Sequence, residues 1–171
     1  MRLLKSTVHP DIPSLDLPSF LRVATRAIIL RGEEILMLYT ERYHDYTLPG
    51  GGVDKGEDLV QGLIRELQEE TGAQNIRNIQ EFGLYEEFRP WYKDNIEIMQ
   101  MKSYCYRCDI DNELGETNFE AHEIKNGMTV VWLNIYDAIK HNEQTIANSD
   151  KKGMSIDRET FLLKLIVQEL L

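Results

Sequence analysis

The sequence predicts an α/β fold, a mixed sheet flanked by helices, from three observations. Apolar, β-prone runs recur at Leu21–Leu30, Ile35–Tyr39, Ile79–Phe88, Ile96–Asp109 and Thr129–Asn134. Helical spacing interrupts them over Leu59–Thr71 and follows them near Tyr136–Asn142 and over Asp157–Leu171. The stretches between are short and rich in proline, glycine or charge, so one core shared by strands and helices is the economical architecture. A chain of 171 residues suits one domain.

Taken in order, Pro10, Pro13 and Pro18 block a helix, so residues 1–20 are expected as an irregular arm ahead of a single domain over 21–171. Arg31-Gly32-Glu33-Glu34 reads as a hairpin turn, and Thr40–Tyr46 as a loop leading into Leu48-Pro49-Gly50-Gly51-Gly52-Val53. The first helix should stop at Gly72, a good C-terminal cap residue. Its Val60, Leu63, Ile64 and Leu67 share a face that ties it to the core. Pro90–Asn95 and the acidic Asp111–Asn126 read as loops. Cys105 and Cys108 fall within a strand, where residues three apart point to opposite faces. They are expected as unrelated thiols, since a redox pair sits at a helix N-terminus.

Charge narrows the partners. There are 19 basic residues against 29 acidic, a net −10, and the pI is near 4.9. Extended nucleic acid and anionic membranes both need a broad field of Lys and Arg, so neither is expected. No stretch approaches the ~18 apolar residues of a membrane span, and Met1-Arg2-Leu3-Leu4-Lys5 lacks a secretory apolar run. A cytoplasmic location is the expectation.

The acidic charge concentrates between Asp54 and Glu70. At about 100° per residue, Glu66, Glu69 and Glu70 share one helical arc of about 100°, with Gly62 inside it. Like charges four apart disfavour a helix, and Glu69 and Glu70 oppose its dipole, so stability does not explain their placement. A hard divalent cation does. A solvated acidic face is the plainer reading of three glutamates, and the preceding loop decides against it. Gly51 to Gly56 has the glycine spacing of a phosphate loop, but Glu57 and Asp58 stand where Lys and Ser or Thr belong.

Gly51, five residues, Glu57, seven residues, then Arg65-Glu66-Leu67-Gln68-Glu69-Glu70-Thr71-Gly72-Ala73 resembles the Nudix box over residues 51–73. The chain therefore looks like a Nudix hydrolase. The resemblance implies an α/β/α sandwich with a central mixed β-sheet, and a metal-dependent enzyme cleaving the diphosphate linkage of a small nucleoside diphosphate derivative. It implies Mg²⁺ or Mn²⁺ held by Glu66, Glu69 and Glu70, with Glu57 an outer ligand or an anchor and Arg65 orienting the carboxylates through ion pairs. Glu66 is the first candidate for activating water and Glu123 the next. Glu120 or Glu123, ahead of Val130-Val131-Trp132-Leu133, would supply a further carboxylate. Gly51, Arg42 and Arg89 are candidate substrate contacts. Pro90, with Trp91 and Tyr92 after it, favours an ADP-ribose-like substrate. The alternatives are a housecleaning pyrophosphatase of modified nucleoside triphosphates and a non-catalytic nucleotide sensor, though a sensor has no need of the intact carboxylates. Oligomeric state is open, a homodimer included.

Overall fold

The computed structural model describes residues 1–171. Eight strands and four helices follow one another as β1 (Leu3–Val8), β2 (Ser19–Ile28), β3 (Leu30–Arg31), β4 (Glu34–Thr40), β5 (Asp45–Thr47), α1 (Leu59–Thr71), β6 (Arg77–Pro90), β7 (Ile98–Asp109), α2 (Ala121–Lys125), β8 (Met128–Asn134), α3 (Ile135–Asn148) and α4 (Ile156–Leu170). The first sheet has the order β1-β6-β7-β2. It is mixed, because β1 runs parallel to β6 and β2 parallel to β7, whereas β6 and β7 are antiparallel. The second sheet is antiparallel, with β4 between β8 on one edge and β3 and β5 on the other.

Period-two alternation sorts side chains to the two faces. Ile35 and Met37 of β4 join Ile28, Leu48, Leu162 and Ile166 in a core under α3 and α4. Leu36, one residue out of phase, joins Ala27, Leu63, Leu67 and Tyr106 in a second core under α1. Helices thus cover both faces of the sheet layer. Cys105 lies in the first core and Cys108 in the second. Both thiols are free, and burial pushes each up to about 12, which removes them from redox chemistry near neutral pH.

The structure corrects several expectations. The first twenty residues are not irregular throughout, because Leu3–Val8 is a strand paired with β6. The prolines lie beyond it, so they bound the strand rather than prevent one. The strands divide between two sheets, joined where the segment after β5 runs along the free edge of β2. There Ala27 N–H donates to Pro49 O at 2.8 Å, Thr25 N–H to Gly51 O at 3.0 Å and Val53 N–H to Val23 O at 2.9 Å. Short β5 and α2 fall in stretches expected as loops, and α3 runs on to Asn148. No helix is long and apolar enough to cross a membrane.

Candidate metal and substrate site

Helix α1 is capped at its start by Asp58, whose side chain accepts the otherwise unpaired N–H groups of Val60 and Gln61, and at its end by Gly72 in the left-handed region, φ 69°. Its apolar face enters the core at Leu63 and Leu67, both fully buried. That anchoring leaves the acidic arc facing the glycine-rich segment beside β2.

Arg65 organises the arc. Its Nε donates to Glu57 Oε2 at 2.8 Å, and its Nη2 to Glu57 Oε1 at 2.9 Å and to Gly52 O at 3.0 Å. Its Nη1 donates to Glu66 Oε1 at 2.9 Å, with Glu69 Oε2 at 3.5 Å. Glu57 also accepts from Asp54 N–H at 2.9 Å. Arg65 and that amide hold the Glu57 carboxyl down at about 2, and the hydrogen bonds to Glu57 and Glu66 raise Arg65. Glu57 is thereby a fixed anion that ties the box loop to the helix.

Glu66 and Glu70 point inward and are only 6% and 4% exposed. The loop approaches them without side chains. A Cβ on Gly51 would stand 2.6 Å from Glu66 Oε2. Gly50 sits at φ 142°, where a Cβ would collide with the Thr25 carbonyl, and it donates its N–H to Glu70 Oε2 at 2.6 Å. The Gly50 carbonyl accepts from Arg26 Nη1 at 3.0 Å.

These groups line a cleft of about 500 Å³, to which α2 contributes His122 and Glu123, and Glu120, at its N-cap, a third side chain. Ligand atoms of those three lie within 4.8 Å of one another. Glu123 is 5% exposed, and its Oε2 is buried with no hydrogen-bond partner. Burial pushes the Glu66, Glu70 and Glu123 carboxyls upward, reinforced by repulsion from neighbouring carboxylates: Glu69 and Glu120 on Glu66, Glu123 and Glu66 on Glu70, and Glu120 and Glu66 on Glu123. Buried, mutually repelling carboxylates with an orphaned oxygen are the donor set that a hard divalent cation satisfies.

The structure brings Glu66, Glu70, Glu123, Arg65 and Gly51 to one cleft. Glu57 reaches it through Arg65. Glu69 is about one-third exposed and paired with Arg65. Arg42 lies apart, donating to Asn126 Oδ1 at 3.1 Å beneath the Tyr43 ring. Arg89 is engaged by Glu87 Oε1 at 2.8 Å and Ser155 Oγ at 3.2 Å. It borders a neighbouring recess of about 480 Å³ that meets the cleft at Arg26, His122 and Met128. Trp91 packs edge-on against Phe20, 5.1 Å between centroids, and Tyr92 projects into solvent.

Sequence reasoning missed Arg22 and Arg26, which line the cleft from β2. Their four-residue spacing on a strand places both on one face, a signal present in the sequence. It also missed the recess residues Asp45 and Arg158, which meet only through the tertiary fold.

The NUDIX domain model matches residues 20–154. An RNA pyrophosphohydrolase of Bartonella quintana is 42% identical over 53 residues, 31% of this chain and 27% of that protein. One from Brucella ovis is 38% identical over 58 residues, 34% and 30% of the two chains. The matched stretch thus spans less than a third of either relative. Among solved structures, a NUDIX hydrolase from Nitrosomonas europaea superposes with TM-score 0.56 at 14% identity, covering 85% of this chain and 89% of its own. A nudix hydrolase family member from Chromobacterium violaceum superposes with TM-score 0.54 at 22% identity, covering 89% and 80%. The structural likeness extends the agreement from the box to the fold, and with the domain match over most of its length the chain belongs to the Nudix family.

Proposed function

We propose that this protein is a metal-dependent pyrophosphohydrolase that cleaves the diphosphate bridge of a nucleoside diphosphate derivative, with an ADP-ribose-like compound the favoured substrate. The observation that carries this reading is the cleft in which buried Glu66 and Glu70 meet the unpartnered Glu123 carboxylate beside a loop stripped of side chains. A Mg²⁺ or Mn²⁺ ion bound there would neutralise the diphosphate and lower the pKa of water.

The chain's own groups divide the remaining work. Glu66 and Glu70 would hold the cation, and Glu69 lies at the edge of the same arc. Arg65 and Glu57 fix the geometry. Arg22 and Arg26, which line the cleft, would meet the bridging phosphates. Glu66 Oε1 is committed to Arg65, whereas Glu123 Oε2 has no partner, so Glu123 is the better placed to take the proton of the attacking water. The adjoining recess, rimmed by Arg89 and Tyr43, has the size for the nucleoside or sugar part. The names of the sequence relatives offer an RNA 5′ end as a second substrate class. The net charge of −10 weighs against a long RNA track.

Hydrolysis in ¹⁸O-labelled water should place label in a phosphate of the product; label on a sugar carbon would refute phosphorus attack. A turnover panel of ADP-ribose, sugar nucleotides, modified triphosphates and triphosphorylated RNA then ranks the substrates. A tenfold preference in kcat/KM for any other class, about 1.4 kcal/mol, would displace ADP-ribose.

A further inference from the structure

We infer that Glu159 is a positioning residue for the loop that faces the carboxylates, acting from a helix beyond the matched residues 20–154. The inference rests on the reading of the cleft as a cation site. Glu159 is fully buried in α4. Its Oε1 accepts from Arg158 Nη2 at 2.8 Å and Nε at 3.2 Å, and its Oε2 accepts from Leu48 N–H at 2.9 Å, a partner 111 positions earlier. Arg158 in turn pairs with Glu87 Oε2 at 2.7 Å, and Glu87 with Arg89. Two cations and two anions are balanced there, out of water.

The Leu48 contact carries the functional content. Between Leu48 and Gly50 stands only Pro49, whose ring locks φ near −65°, so the two amides move as one short stiff unit. A carboxylate seizes each end. Glu159 takes the Leu48 N–H, and Glu70 Oε2 takes the Gly50 N–H at 2.6 Å. Asn142 fixes the approach to this unit, its side chain bonding both Tyr46 N–H at 3.0 Å and Tyr46 O at 2.9 Å. With Leu48 released, the segment keeps its bonds to Ala27 and Thr25 of β2 but loses the anchor at its start, so Gly50 can shift on Glu70 and Gly51 against Glu66. A shift of that kind misplaces the carboxylate oxygens offered to the cation.

The test is calorimetric titration with Mg²⁺ alone of the wild-type protein, Glu159→Ala and Glu159→Gln, with kcat and KM measured alongside. Glu159→Ala should weaken Mg²⁺ binding about tenfold, in the range seen when groups supporting metal ligands are removed. It should lower kcat more than KM. Glu159→Gln keeps an amide oxygen for Leu48 N–H and should stay within about threefold of wild type in Mg²⁺ affinity, although it loses the Arg158 charge pair and melts lower. Equal weakening by Ala and Gln, or wild-type affinity in folded Glu159→Ala, would overturn the inference. Failure of the wild-type protein to bind Mg²⁺ would instead overturn the reading of the cleft. If Glu159→Ala does not fold, hydrogen exchange on the wild-type protein decides. Saturating Mg²⁺ should slow exchange of the Leu48 and Gly50 amides by the full factor that its binding free energy allows, and a Leu48 amide whose exchange Mg²⁺ leaves unchanged would refute the coupling.

Discussion

Glu70 is shielded from water, accepts one amide, and shares its cleft with Glu66 and Glu123. Glu70→Gln should therefore weaken Mg²⁺ binding by about 100-fold while leaving the fold intact, checked by calorimetry and far-UV dichroism. Glu123→Gln should lower kcat by about 10² to 10⁴ even at saturating Mg²⁺, a loss that added metal does not restore, checked by steady-state kinetics over a range of Mg²⁺ concentrations. Asp45 carries a prediction of the opposite sign. Its Oδ1 is buried without a partner, and burial together with the nearby Glu159 pushes the carboxyl up to about 7. Its contribution to stability is full below the ordinary value of 3.8 and is lost as pH rises through about 7. Asp45→Asn should match wild type at pH 3, gain stability progressively above it, and hold a constant advantage on the order of a few kcal/mol above pH 8 in denaturant melts. At this scale Glu57, Arg65, Glu66 and Glu70 were legible because they sit in one contiguous pattern. Asp45, Glu87, Arg158 and Glu159 were not, because each acquires its surroundings from partners far along the chain.

Among the elements, α1 is the one whose limits the sequence expresses directly, through Asp58 ahead of it, Gly72 behind it and apolar residues at helical spacing between. The expected strands were found with ends displaced by a few residues, as hydrophobic runs blur where pairing stops. Strands β1 and β5 and helix α2 escaped because they are too short to show periodicity and exist through their neighbours. For β1 that neighbour is β6. Leu84 N–H donates to Arg2 O at 2.8 Å, and the Leu4 side chain lies over Gly83, where a Cβ would collide with it. Gly83→Val should therefore displace Leu4, cost about 1–3 kcal/mol and accelerate exchange of the Leu84 amide. Mg²⁺ affinity should hold, since neither residue lines the cleft. Unchanged exchange at Leu84 would show that β1 is held by something other than this contact.

Taken as a whole molecule, the protein keeps two apolar cores on either side of its sheets and sets an acidic cleft where the sheets join. Burial raises the Glu66, Glu70 and Glu123 carboxyls, so the metal-free fold is progressively destabilised as pH rises through their folded values. A cation held by these carboxylates would reverse that penalty. At 100 times its dissociation constant Mg²⁺ should add about 2.7 kcal/mol, roughly 5–10 °C in Tm for a chain of this size. At one fixed Mg²⁺ concentration the gain should be larger at pH 8 than at pH 5, where protons compete for the same oxygens. A gain independent of pH would place the cation away from these three groups.

The two parallel pairings also bear on how the chain emerges from the ribosome. Leu3 waits for Leu84, and Ser19 for Ile98. At about 5–20 residues per second, a lag of about eighty residues leaves both early strands without their sheet neighbours for roughly 4–16 s. Helix α1, with its full set of carboxylates, is synthesised within that interval. A nascent chain stalled before β7 would present open strand edges to chaperones and to other nascent chains, so translation pauses upstream of Ile98 should raise aggregation more than pauses after Asp109.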